Sequence, residues 1–94
     1  MQIDVRVFKL VTGEEVIGRF VNEDEESVTL ERTLSMVIQT NARGEVGMVT
    51  TPFMLAVGNG PVWINRASIV GIALEIDGQL YDDYLQQTSP IALK

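Results

Sequence analysis

Residues 62–72 read V-W-I-N-R-A-S-I-V-G-I, two short apolar runs around a polar turn. Side chains of a strand alternate between its faces. Val62, Trp63 and Ile64 therefore put bulky apolar groups on both faces of one strand, and Ile69, Val70, Ile72 and Leu74 do much the same in the next. A strand that is apolar on both faces needs cover on both. A chain of 94 residues buries about two-thirds of its unfolded surface and builds one small core, too little to cover two such strands twice over. The expected cover is a second copy of the chain, through Val62, Trp63, Ile64, Ile69, Val70, Ile72 and Leu74. The competing expectation is that Leu80, Tyr84 and Leu85 fold back over the outer face.

Upstream, the dominant period is two. Ile3, Val5 and Val7 alternate with Asp4 and Arg6, and apolar residues then fall on both faces from Phe8 to Val11, which predicts a first strand. Thr12-Gly13-Glu14 is a turn with Gly13 free to take positive φ. Glu15 to Val21 reads as the second strand of a hairpin, and Gly18 in its middle predicts a bend or a close backbone approach. After the acidic loop Asn22–Ser27, the residues Val28, Leu30, Leu34, Met36 and Ile38 form a long alternating stretch to about Thr40. Asn41-Ala42-Arg43-Gly44 is a hairpin turn. The chain is again β-like from Glu45 to about Val57, with Pro52 marking an edge, a bulge or a break.

Downstream, the last strand is predicted over Ile69–Ile76. Leu80, Tyr81, Tyr84 and Leu85 recur at helical spacing and predict one or two turns of helix, limited by Pro90. The reading is one domain over 1–94: an all-β, small, five-stranded and strongly bent barrel over about 3–76, with a short C-terminal helix in a tail over 77–94.

Composition narrows the chemistry. The chain has no Cys and no His, which removes thiol catalysis, imidazole bases, disulfides and the usual zinc ligand sets. Lys and Arg number 7 against 13 Asp and Glu, a net charge of −6, the reverse of the basic excess typical of nucleic-acid binders and of polybasic membrane contacts. No phosphate loop or nucleophile elbow occurs. Glu23-Asp24-Glu25-Glu26 offers oxygen ligands of the kind hard cations prefer, but without EF-hand spacing it reads as a solvated loop. The expectation is a protein that is not an enzyme and holds neither metal nor cofactor. With no basic leader and no apolar run of membrane-spanning length, a cytoplasmic location without membrane contact is expected.

The order of these segments resembles the Sm-like family, in the divergent form found in bacteriophage and environmental sequences. Val5 to Arg32 resembles the first Sm motif: an apolar strand, the Thr12-Gly13-Glu14 turn, a strand with Gly18, an acidic loop and Val28-Thr29-Leu30. Val62 to Ile72 resembles the second, and Thr33–Pro61 corresponds to the variable hairpin between them. The resemblance implies a five-stranded bent barrel that assembles into a homo-oligomeric ring, the fourth strand of one subunit pairing with the fifth of its neighbour. It also implies single-stranded RNA binding near the pore, with DNA as a related ligand. Anchored on Leu30, the family's base-reading position falls on Ser27 and its stacking position on Glu25. The Arg-Gly pair of the second motif falls on Asn65-Arg66. Glu25, Ser27, Asn65 and Arg66 are therefore the candidate nucleic-acid residues. In a ring Arg66 would form a girdle of positive charge; alternatively it is held by a neighbouring Glu. Glu25 offers no plane on which a base can stack, and the acidic loop opposes phosphate. The second expectation is accordingly an assembly module that keeps the ring without the RNA site.

Overall fold

The structure, a computed structural model, describes residues 3–88. Its strands are β1 (Val5–Leu10), β2 (Glu15–Glu23), β3 (Ser27–Thr40), β4 (Val46–Pro52), β5 (Pro61–Asn65) and β6 (Ile69–Ile72), followed by helix α1 (Gly78–Thr88). One antiparallel sheet contains all six, in the order β4-β3-β2-β1-β6, with β5 also paired to β3. The chain is thus a small, all-β, barrel-like sheet with a C-terminal helix.

Five strands were expected and six occur because the fourth is broken. β5 pairs with the first part of β3, from Ser27↔Asn65 to Glu31↔Pro61. β4 pairs with the second part, from Leu34↔Pro52 to Thr40↔Val46. The two lie end to end along one side of β3, separated by residues 53–60, which include a 3-10 turn at Leu55–Val57. β5 and β6 are joined by a second 3-10 turn, Arg66–Ser68. Among the described residues they do not pair with each other, so the barrel is open along that seam.

The bend sits where Gly18 faces Arg32 and Thr33. Ile17 pairs with Leu34 and Arg19 with Glu31, so β3 carries one extra residue there, a β-bulge. Arg32 takes up the turn with a φ of 52°, in the left-handed region that costs a side-chain-bearing residue energy. A Cβ on Gly18 would lie 3.0 Å from both Leu30 Cβ and Thr33 Cγ2, so only glycine permits this approach.

Because side chains alternate, one inserted residue sends the rest of the strand to the other face. Val28 and Leu30 accordingly point into the barrel with Phe8, Leu10, Val16, Val62 and Ile64. Leu34 and Met36, which share their numerical parity, lie on the outer side with Val5, Val7, Ile17 and Tyr84. The single alternating stretch read from sequence is two half-strands facing opposite ways.

α1 covers this outer core. Tyr84 is fully buried there, with Leu80, Tyr81, Leu85 and Ile76 packed around it. The Tyr84 hydroxyl donates to the Arg32 carbonyl at 2.7 Å, and the Arg32 guanidinium donates to the Thr88 carbonyl, so the bend and the helix end hold one another. Burial pushes the Tyr84 phenol up to about 12. Asp77 caps the helix, its Oδ2 accepting from Gln79 N at 3.1 Å and Leu80 N at 3.2 Å.

The tail folds back, but over β1–β3 and not over the outer face of the two late apolar strands, where Leu80, Tyr84 and Leu85 were the competing cover; Trp63, Val70 and Leu74 stay exposed. The helix runs eleven residues, longer than the one or two turns predicted; Pro90 lies outside the described residues. β6 stops at Ile72 rather than Ile76. Its extension ends with Ala73 N donating to Val7 O at 3.0 Å, after which the chain turns so that Ile76 joins the helix-side core.

Candidate nucleic-acid interface

Two turns meet at one end of the open seam. The β2–β3 turn is built on Asp24, whose Oδ1 accepts from Glu26 N at 2.8 Å, Ser27 N at 2.7 Å and Ser27 Oγ at 3.1 Å. These donors, the two backbone N–H groups foremost, hold the Asp24 carboxyl below its usual range. The 3-10 turn after β5 is capped by Asn65, whose Oδ1 accepts from Ala67 N at 2.8 Å. The β3–β5 register sets Ser27 opposite Asn65, and Arg66 N donates to Glu26 O at 2.9 Å.

Glu25, Ser27, Asn65 and Arg66 are therefore neighbours in space. Three of them are already engaged within the chain. Ser27 is buried with its hydroxyl committed to Asp24, and Asn65 serves as a cap. The Arg66 guanidinium donates through Nε to Asp24 O at 2.7 Å and ion-pairs with Glu23. Glu25 stands exposed, as does the capping Asn65.

Glu23 also reaches a second arginine, with 3.7 Å between its Oε2 and Arg6. Arg6 pairs with Asp4 at 3.3 Å and lies 3.6 Å over the Phe20 ring, a cation–π contact. Arg6, Phe20 and Glu23 belong to this cluster although their sequence context assigns them to strand alternation and a solvated loop. The discoverable signal was parity: Arg6 shares a face with Phe8 and Leu10, an odd place for a charge without a partner. The cluster sets Arg6 and Arg66 against Asp4, Glu23, Asp24, Glu25 and Glu26. Its two cations are neutralised inside the chain and its surplus is negative, so a phosphate approaching it meets net repulsion.

The acidic run does not converge on a cation either: Asp24 turns to backbone N–H groups and Glu23 to arginines, and no group of three acidic side chains is arranged as metal ligands among the described residues. No helix there is long and apolar enough to cross a membrane. Two further aromatic rings lie in other contacts. Phe53 packs on the inner core, and the Tyr81 hydroxyl donates to Ile3 O at 3.2 Å.

The seam itself divides the seven residues read as an oligomer contact. Val62 and Ile64 are buried in the inner core, and Ile69 packs against it. Trp63, Val70, Ile72 and Leu74 remain exposed, at 59%, 64%, 56% and 96%. Ile72 is the telling member. It lies opposite Phe8, and directly opposed residues of an antiparallel pair share a face, so it stands on the face that carries the inner core while half its surface meets water.

No family model matches the chain, and no curated protein matches it.

Proposed function

We propose that this chain is a non-catalytic assembly module: a ring-forming barrel of Sm-like type, in which the free edge of β5 in one copy pairs with the free edge of β6 in the next. The observation that carries this reading is Ile72, an inner-face residue left exposed at an unpaired edge. A neighbouring β5 would close the seam, cover Ile72 and Val70, and satisfy both rows of open backbone groups. Such edges are ones that soluble proteins seldom leave bare. A broken fourth strand whose second half does not pair with the final strand of its own chain supports the same arrangement.

The cluster around Arg66 supports the assembly reading over RNA binding, since its cations are spent on Glu23 and Asp24. The test is sedimentation of the purified chain together with oligonucleotide titration at two salt concentrations. The expected result is a closed oligomer that Ile72→Lys dissociates, with no oligonucleotide affinity even at low salt, where electrostatic binding is strongest. A monomeric wild type at micromolar concentration would refute the ring. Tight, salt-sensitive binding abolished by Arg66→Glu would restore the RNA site.

A further inference from the structure

The β3–β4 hairpin has a free edge of its own, separated from that of β5 by residues 53–60. Two backbone bonds at its ends fix which way each residue of β4 faces. Phe53 N donates to Thr33 O at 3.3 Å, and Asn41 N donates to Glu45 O at 3.0 Å. Between them the register runs unbroken from Leu34↔Pro52 to Thr40↔Val46. Opposed residues of an antiparallel ladder alternate between bonded and non-bonded pairs, so Gly47, Val49 and Thr51 bond to β3. Val46, Met48 and Thr50 then turn their N–H and C=O groups outward. Pro52 falls on the same outward phase, where its missing N–H costs no bond to β3.

Exposed edges are normally protected by charge, an internal proline or a bulge. β4 has none of these between Val46 and Thr51. Two of its three outward residues are apolar: Val46 is 69% and Met48 55% exposed, and Ile38, the partner of Met48, is 72% exposed. An edge this long, flat and neutral is either an aggregation site or a binding site.

We propose that β4 is a homotypic docking edge, on which two copies pair antiparallel about a two-fold axis at Met48. That register sets Met48 against Met48 of the second copy and Val46 against Thr50 in both directions, with every outward N–H and C=O of these residues paired. It is self-complementary, as a two-fold contact requires: no charge opposes a like charge, and a row of apolar side chains on one face meets its own image. It also gives Arg43 a partner. Arg43 is the one cation among the described residues that neither ion-pairs nor caps a helix. The two-fold brings the Asn41–Gly44 turn, which carries Arg43, past the Thr51–Pro52 end of the second copy's β4, the end that Thr50 ties to the C-terminal part of α1 by a 2.8 Å bond to Gln87. The negative end of the helix dipole is a favourable neighbour for a guanidinium. The contact uses a different edge from the ring contact proposed above and does not rest on it; where both form, closed rings associate in pairs.

The absence of cysteine makes the test direct. In Met48→Cys the only thiol sits where the two-fold brings bonded-pair backbones about 5.5 Å apart, within disulfide reach. Mild oxidation of the full chain should convert most of it to a covalent dimer, while Val49→Cys, set against Gly47 in this register, should not cross-link. Met48→Lys should halve the native mass with an unchanged circular dichroism spectrum. In Ile72→Lys the seam is broken, so loss of the ring together with a retained Met48→Cys dimer shows the two contacts to be separate. Absence of the Met48→Cys dimer together with an unaltered mass in Met48→Lys would overturn the proposal, as would equal cross-linking at position 49.

Discussion

The outer surface of the barrel has two apolar regions that met different fates. Over β1–β3, the side chains of Val5, Val7, Ile17 and Met36 are sealed by α1. Along β5, β6 and the β3–β4 hairpin, residues of the same type, including Trp63, Val70, Ile72 and Ile38, stay largely exposed among the described residues. Hydropathy does not distinguish the two. The difference lies in reach: a helix of eleven residues is about 16 Å long, enough for one flank of a small barrel. Apolar patterning alone does not tell which of two apolar faces the chain covers with its own helix.

Truncating the cover is the most damaging way to break this contrast. Tyr84→Ala is expected to cost about 3–5 kcal/mol, the range for a fully buried aromatic, read by chemical denaturation of the purified protein. Alkali should act on the same residue more gently. The folded phenol titrates near 12 against an ordinary value of 10, so the folded state binds its proton longer than the unfolded one. The associated stability, of order 2–3 kcal/mol, is complete below pH 10 and is lost as pH rises from 10 through 12. Tyr84→Phe should remove that alkaline loss while retaining most of the packing. The smallest effect belongs to the uncovered region. Leu74→Ser, at a residue 96% exposed, should shift the unfolding free energy of the chain by under about 0.5 kcal/mol; on the proposed ring reading it should also shift the oligomer equilibrium measured by dilution. A large stability loss there in a dissociated chain would erase the distinction between the two regions.

Much of the architecture was legible because turns and periodicity carry local signals. Gly13, with a φ of 98°, and the Asn41–Gly44 turn stand where they were read. The break in the fourth strand was marked by Pro52 and by Gly58-Asn59-Gly60-Pro61. The bend was half legible: Gly18 announced a close approach, but Arg32 has no intrinsic preference for positive φ and nothing in its neighbours declares it. That hidden bulge is why Leu34 and Met36 looked like a continuation of the Val28–Leu30 face and are not. The candidate site was read as a set of neighbours, and its neighbours are those. Its electrostatics were not readable, since the partners of Arg66 come from residues 42 and 43 positions away and depend on the Ser27–Asn65 register.

The bond from Tyr84 to the Arg32 carbonyl spans 52 residues and has a consequence for biosynthesis. A chain emerging from the ribosome can pair β1, β2 and β3 early, yet the strained kink at Arg32 has no brace until the segment around Thr88 has left the exit tunnel. During that interval Val5, Val7, Ile17 and Met36 are bare to solvent, and non-local contacts of this kind form slowly. Nascent chains halted before Tyr84 are the ones a holding chaperone would capture.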